Sequence, residues 1–288
     1  MNKQGEKGRW YKAGDALLHE IIETPQLPGS TFFWFLGQLG FVIKLKGLVF
    51  YIDVILNDLT DAAGKTKRRY APAFEPGAVQ PVDYFLCTHD HDDHLNLRTL
   101  LPLAKANPQA RFIVPMPLRS ILIGAGIEAS RVIGAQEGKD LSLPGDVTVS
   151  PVAAAHTDYE QDEQGDYLCL GYVLTGDGIG IYHAGDTLVT PRLVETLKAR
   201  RPLDVGILPI NGGDWERTSQ GIIGNMTAED AVKFARAVDI DLVIPAHYDM
   251  MPGNSENPAS FADYMYTLCP EKKYHLFALG ERLCYLKL

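Results

Sequence analysis

Residues 88–94 read Thr-His-Asp-His-Asp-Asp-His, three imidazoles and three carboxylates in seven consecutive positions. They follow the apolar run 82–87 and precede a helix-like stretch over 95–106. So many ionisable groups in one loop have no packing use, because each is costly to bury unpaired. The fold must therefore end a buried strand at a metal site. His89 and His91, two residues apart, can turn toward one point as the chain leaves the strand. Asp93 and His94 follow after the chain has turned and can serve a neighbouring point. Three more polar residues end apolar runs: His156 after Ala153-Ala154-Ala155, Asp186 after Tyr182-His183-Ala184-Gly185, and His247 after Val243-Ile244-Pro245-Ala246. Donors at strand ends are held by a rigid sheet, as precise coordination requires.

The rest of the composition is that of a soluble globular chain: 288 residues with 46% hydrophobic and 22% charged content disfavour a disordered or membrane protein. The longest apolar stretch, 31–56, is broken by Gly37, Gly40, Lys44, Lys46, Gly47 and Asp53, so no membrane span is expected. Residues 1–7 lead into polar sequence rather than a secretory segment, and the cytoplasm is the expected compartment. A net charge of −9 argues against nucleic acid as a partner. Cys87, Cys169, Cys269 and Cys284 form no CxxC pair and read as reduced, mostly buried thiols.

Short strands are expected over 31–36, 41–45 and 48–53, with Lys46-Gly47 as a hairpin turn. A polar loop, 56–81, leads to the strand that delivers the histidine cluster. Further strands are expected over 111–114, near 141, and over 147–153, 167–174, 179–183, 205–209 and 242–245, with two more at the C-terminus. Helices are expected over 95–106, 118–123, 191–199, 228–238 and 258–268. Antiparallel groups of strands alongside αβ alternation point to layered sheets with helices outside.

The ordered set His-x-His-x-Asp-His, then a distant His, then Gly-Asp, then a strand-terminal His, resembles the metallo-β-lactamase superfamily over almost the whole chain. The resemblance implies an α/β (α+β layered) fold, a four-layer αββα sandwich with its site at one edge of paired sheets. It implies one metallo-hydrolase domain over 1–288, with 1–30 as a helical extension packed on it. Position by position, it gives His89, His91 and His156 to a first metal and Asp93, His94 and His247 to a second, with Asp186 bridging both. Asp53 matches the aspartate that orients the metal loop. His183 and Asp249 are expected to support the ligands from behind. His19 and His275 have no such context.

Two divalent ions bring four positive charges against the carboxylates of Asp93 and Asp186, and the surplus favours a bridging hydroxide and an anionic transition state. Oxygen and nitrogen donors without a thiolate admit Mn(II) or Zn(II). Within the superfamily the chain resembles the L-ascorbate-6-phosphate lactonase group, through 18–22, 28–37, 88–94, 182–186 and 221–249. The implied reaction opens a sugar-acid lactone, a small anionic substrate. Asp93 or Asp186 would accept the nucleophile's proton, and Tyr248 or Asp249 would protonate the leaving alkoxide. Arg69, Arg217 and Asn225 are the candidates for substrate contact, since guanidinium suits a phosphate. The rival readings are a phosphodiesterase, which the same ion pair would serve, and a non-catalytic or redox metal protein. Apolar surface segments and the N-terminal extension are compatible with a homo-oligomer.

Overall fold

The computed structural model describes residues 9–60 and 63–287. In chain order the elements are α1 (Gly14–Glu23), β1 (Ser30–Gly37), β2 (Gly40–Leu45), β3 (Leu48–Ile52), β4 (Tyr84–Leu86), α2 (Leu97–Ala106), β5 (Arg111–Pro115), α3 (Arg119–Gly124), β6 (Val132–Ala135), β7 (Leu141–Leu143), β8 (Val147–Ala153) and β9 (Leu170–Gly176). They continue with β10 (Ile179–His183), α4 (Pro191–Lys198), β11 (Val205–Pro209), α5 (Trp215–Ser219), α6 (Ala228–Val238), β12 (Leu242–Ala246), α7 (Pro258–Leu268), β13 (Lys273–Tyr274) and β14 (Arg282–Leu286).

Two seven-stranded sheets form, in the orders β14-β1-β2-β3-β4-β5-β6 and β13-β12-β11-β10-β9-β8-β7. In the first, strands from β14 to β3 pair antiparallel and those from β3 to β6 pair parallel. The second repeats the scheme, parallel from β13 to β10 and antiparallel from β10 to β7. Successive side chains of a strand point to opposite faces. Thus Phe33 and Phe35 of β1 join Phe41, Phe50, Tyr172, Ile181 and Ile244 in a core between the sheets. Their neighbours Phe32, Trp34 and Leu36 pack instead with Leu17 and Ile21 of α1 and Leu100 and Leu103 of α2. On the far side, Tyr182, Leu208 and Val243 pack with Leu193 of α4, Phe234 of α6 and Phe261 of α7. This is the expected αββα sandwich. Because both faces of each sheet are covered, β1 and β2 are buried along their whole length and read in sequence as mainly apolar runs, with Lys44 the charged exception.

Local departures from the sequence reading have local causes. Within the expected N-terminal extension the helix covers only α1, and residues 1–8 lie outside the described residues. The Lys44 ammonium donates to the carbonyls of Ile21, Ile22 and Thr24 at 2.6–3.2 Å, satisfying that helix's last turn. Helix α2 begins at Leu97 rather than 95, because the Asn96 side chain accepts from Arg98 N at 3.0 Å as an N-cap. The strand expected from 167 begins at Leu170, since Tyr167 instead bridges Gln161 across a turn. Strand β6 and helix α5 were not foreseen.

The sheets matter for function because five segments end together. Asp53 follows β3, the histidine loop follows β4, His156 follows β8, Asp186 follows β10 and His247 follows β12.

Candidate metal centre

The loop after β4 closes on itself: His94 N and Leu95 N both donate to His91 O, at 2.9 and 2.8 Å. That turn separates His89 and His91 from Asp93 and His94, as the spacing suggests. The structure brings all seven sequence candidates together. Ligating atoms lie within 4.8 Å of one another in three overlapping groups: His89, His91 and His156; His89, His94 and Asp186; Asp93, His94 and His247. Asp186 lies centrally, its Oδ1 3.4 Å from His94 Nε2 and its Oδ2 3.2 Å from His247 Nε2 and 3.6 Å from His156 Nε2. His91 is exposed and Asp93 half-buried, so the cluster opens to solvent on their side; the other five are buried.

Whether these residues fit cations is answered by what they lack. His89 Nε2, His94 Nε2, His156 Nδ1 and Asp186 Oδ1 are all buried without a hydrogen-bond partner. Buried polar atoms are nearly always paired. Three of these orphans, His89 Nε2, His94 Nε2 and Asp186 Oδ1, belong to one group of converging donors that could hold an ion; His156 turns its Nε2, not the orphaned Nδ1, toward Asp186. Electrostatics agree. Burial opposes the charge on Asp93, but His94 and His247 outweigh it and hold the carboxyl below its ordinary range. Asp186 is held well below it by His247 and His94, again against burial. Burial disfavours the His94 imidazolium, yet Asp186, Asp93 and Asp53 raise that group to about 9. His247 is likewise raised, by Asp186 and Asp93. His89 goes the other way, lowered by burial and by His94.

Behind the candidate ligands lies Asp53. Its Oδ2 accepts from His94 Nδ1 at 2.8 Å and from the Thr88 hydroxyl at 2.7 Å, and its Oδ1 accepts from Thr88 N at 2.9 Å. A carboxylate only accepts, so His94 carries a proton on Nδ1, and Nε2 is the nitrogen that would ligate once the ring is neutral. Thr88 Oγ1 also lies 3.0 Å from His89 Nδ1, and with its own proton given to Asp53 it accepts there, freeing His89 Nε2. Gly185 (φ +64°) allows this packing: a Cβ there would meet Thr88 Cβ at 2.9 Å.

The remaining support was invisible in sequence. Gln38, in the β1–β2 turn, is fully buried and points its amide at Asp93 and His247. Its N–H donates to Asp249 Oδ1 at 2.9 Å, its carbonyl accepts from His247 N at 2.7 Å, and Tyr70 Oη donates to Asp249 Oδ2 at 2.6 Å. Asp249 is thus linked to the candidate ligands through Gln38. His183 supports the same turn, bonding Leu39 O at 2.9 Å through Nε2.

Four expectations need correction. Tyr248 is not aimed at the ligands: its ring stacks on Phe35 at 6.4 Å, within an apolar cluster with α6 and α7, and burial raises its phenol. Arg69 is exposed, donates to Ser255 Oγ at 2.7 Å, and lines a cavity of about 570 Å³ that none of the seven candidate ligands lines. Arg217 is occupied by the Asp214 carboxylate and the Asn211 carbonyl. Asn225 is buried and donates to Asn211 Oδ1 at 3.0 Å.

Comparison with known proteins gives the family. The model of the β-lactamase superfamily domain matches residues 53–248, a span that includes Asp53 and all seven candidate ligands but not Gln38. The chain belongs to this superfamily. A metal-dependent hydrolase of Archaeoglobus fulgidus is 33% identical over 184 residues, 62% of this chain and 72% of its own. A probable L-ascorbate-6-phosphate lactonase of Escherichia fergusonii is 25% identical over 275 residues, 84% of this chain and 76% of its own. Among solved structures, a metallo hydrolase of the archaeon Ignicoccus hospitalis shares the fold, with a TM-score of 0.67 and 21% identity over 90% of this chain and all of that one.

Proposed function

We propose that this chain is a metal-dependent hydrolase that opens the lactone of a sugar acid, with L-ascorbate 6-phosphate as the type of substrate. The observation that carries the hydrolase reading is the overlap of the three donor groups at the strand ends. The lactone is supported by the Escherichia fergusonii relative, whose likeness runs through most of the chain. Two divalent ions per chain, Mn(II) or Zn(II), suit a donor set of imidazole and carboxylate alone. Bound there, such ions supply water acidified toward about 7 and Lewis-acid polarisation of a carbonyl.

The chain's own residues hold and orient. His89, His91 and His156 would take one ion, Asp93, His94 and His247 the other, and the central Asp186 both. Two carboxylates against two dications leave the site positive, which favours an anionic substrate. The open side at His91 and Asp93 is the approach for it. Asp93 and Asp186, held below the ordinary carboxylate range, act as ligands rather than as acceptors of the nucleophile's proton. In this reading the enzyme works in the cytoplasm on a small molecule, with neither nucleic acid nor membrane as partner. No helix among the described residues is long and apolar enough to cross a membrane.

The test combines metal content of the purified protein with a panel of lactones and phosphodiesters, with and without added Mn(II). The expected result is two ions per chain and lactone turnover that follows loading. Cleavage of bis(p-nitrophenyl) phosphate and of no lactone would replace the substrate class. Bound metal with no turnover of ester, lactone or phosphodiester would leave only a metal-binding protein.

A further inference from the structure

The carboxamide of Gln38 sits where the second group of donors converges. Its Nε2 lies 2.7 Å from Asp93 Oδ2 and 3.0 Å from His247 Nε2. Those donors are themselves 3.5 Å apart, and His94 Nε2 is 3.7 Å from the same Asp93 oxygen. The end of the Gln38 side chain is therefore spaced from the candidate ligands as they are from one another. Its other amide atom, Oε1, is buried and has no hydrogen-bond partner. A glutamine serving only to complete a hairpin turn would leave its amide in water or in paired bonds. This one is fully buried, on a backbone with φ +59°, where a non-glycine residue is uncommon.

We propose that Gln38 is a further protein ligand of the second cation, binding through Oε1 after a half-turn of its carboxamide. The proposal rests on the two-ion reading above. Here the N–H edge faces the Asp93 carboxylate and the His247 ring, covering electron pairs that a cation would use. A cation drawn to those pairs repels an N–H edge and attracts a carbonyl edge. Rotation about the last side-chain bond exchanges the two edges, so that Oε1 takes the position Nε2 now holds and its missing partner is supplied. The backbone need not move, and it is held at both ends: Gln38 N on Asp249 Oδ1 and Gln38 O on His247 N. The two ions then meet different surroundings. The first has three imidazoles and the shared Asp186; the second adds the oxygens of Asp93 and Gln38. Oxygen-rich surroundings suit Mn(II), nitrogen-rich ones Zn(II).

The experiment measures metal binding rather than turnover. Full-length protein is stripped with chelator and titrated with Zn(II) or Mn(II) by calorimetry, with bound metal counted by mass spectrometry, for wild type, Gln38→Leu and Gln38→Glu. Wild type should take two ions in two steps. Leucine should weaken one step by at least about tenfold and spare the other. Glutamate replaces a neutral oxygen donor by an anionic one and should strengthen that same step. A Gln38 that merely donated a hydrogen bond to Asp93 predicts that leucine leaves the step as strong or stronger, since no N–H then competes with the cation for the same electron pairs. Leucine with both steps unchanged, or glutamate that does not strengthen the step, overturns the proposal while the two-ion reading stands. Wild type that takes fewer than two ions overturns both. Should the leucine variant fail to melt cooperatively, Gln38→Ala is read in its place by the same criterion.

Discussion

Asp53→Asn exchanges one carboxylate oxygen for an amino group and tests how the site sets its imidazoles. Asp53 accepts three hydrogen bonds at 2.7–2.9 Å while 1% exposed, so water cannot substitute for what is lost. With the amide oxygen kept on Thr88 N, the amino group faces Thr88 Oγ1 and His94 Nδ1. Both must then accept. His94 is driven to the tautomer with its proton on Nε2, the atom meant for a cation, and the displaced Thr88 proton turns toward His89 Nδ1 with the same result there. In the flipped orientation the amino group opposes the Thr88 N–H, a donor facing a donor. Either way at least one bond to a charged acceptor is lost, about 1.5–3 kcal/mol of stability. Disturbing the partner of a ligating imidazole reduces metal affinity by about 10–100-fold. Urea denaturation measures the first quantity and competition with a chromophoric chelator the second. Two ions held with wild-type affinity by a folded Asp53→Asn protein would refute the tautomer argument outright.

Further outcomes follow from the same geometry. Gly185→Ala sets a methyl 2.9 Å from Thr88 Cβ at a φ of +64°, and should lower stability by about 1–3 kcal/mol in a urea midpoint assay. Tyr248→Phe should leave kcat unchanged, because the ring packs against Phe35; a loss approaching the ~100-fold of a general acid would restore the discarded role. The metal-stripped protein should also show a particular pH profile. His94 and His247 are raised above 6.5, so their stabilisation is complete below that value and is lost as pH rises through about 9, the value for His94; Asp93 and Asp186 are lowered below 3.8, so theirs is present above that value and is lost on further acidification. His89, His156 and His183 are lowered below 6.5, so their contribution is lost as pH falls beneath that value. Melting temperature should therefore peak near 6.5 and fall on either side, and metal affinity should climb from 6.5 to 9 as the imidazoles give up protons.

The ligands were legible because polar side chains at the ends of apolar runs contradict everything around them. His156, Asp186 and His247 lie far apart in sequence, yet each ends a strand, and strands of two packed sheets finish along a common edge. Gln38 carried no such signal. In Gly37-Gln38-Leu39-Gly40 it reads as an ordinary turn residue, and its contact with Asp93 spans 55 positions. Tyr70 is hidden for the same reason, in a loop whose composition suggested only solvent. The failures have one cause as well. Tyr248 adjoins a ligand, but the left-handed backbone of His247 (φ 60°) turns the chain there, and the next side chain enters the apolar cluster with α6 and α7. Arg217 was read for its charge, while Asp214, three residues earlier, already used it. Charge and proximity in sequence say that a group can act, and not where it points.

Backbone conformation connects these observations. Among the described residues, Lys46, Asp146, Asp177 and Asp239 have positive φ at strand-to-strand turns or a helix C-cap, where left-handed residues are ordinary. Gln38, at 59°, also lies in a strand-to-strand turn, and the remaining non-glycine cases are Asp53 and His247, at 49° and 60°. All three surround the second group of donors. Such conformations cost free energy and persist only where neighbouring structure over-determines them. Here the restraints are mutual: His247 N on Gln38 O, Gln38 N on Asp249 Oδ1, and Asp53 N on Leu86 O at 3.0 Å. A strain that is shared among three segments, and fixed by bonds between them, holds side-chain directions that none would keep alone. The first group of donors needs less of this, since His89 and His91 come from one loop and His156 from a regular strand end. The second joins segments from opposite ends of the chain, and there the fold spends its unusual backbone.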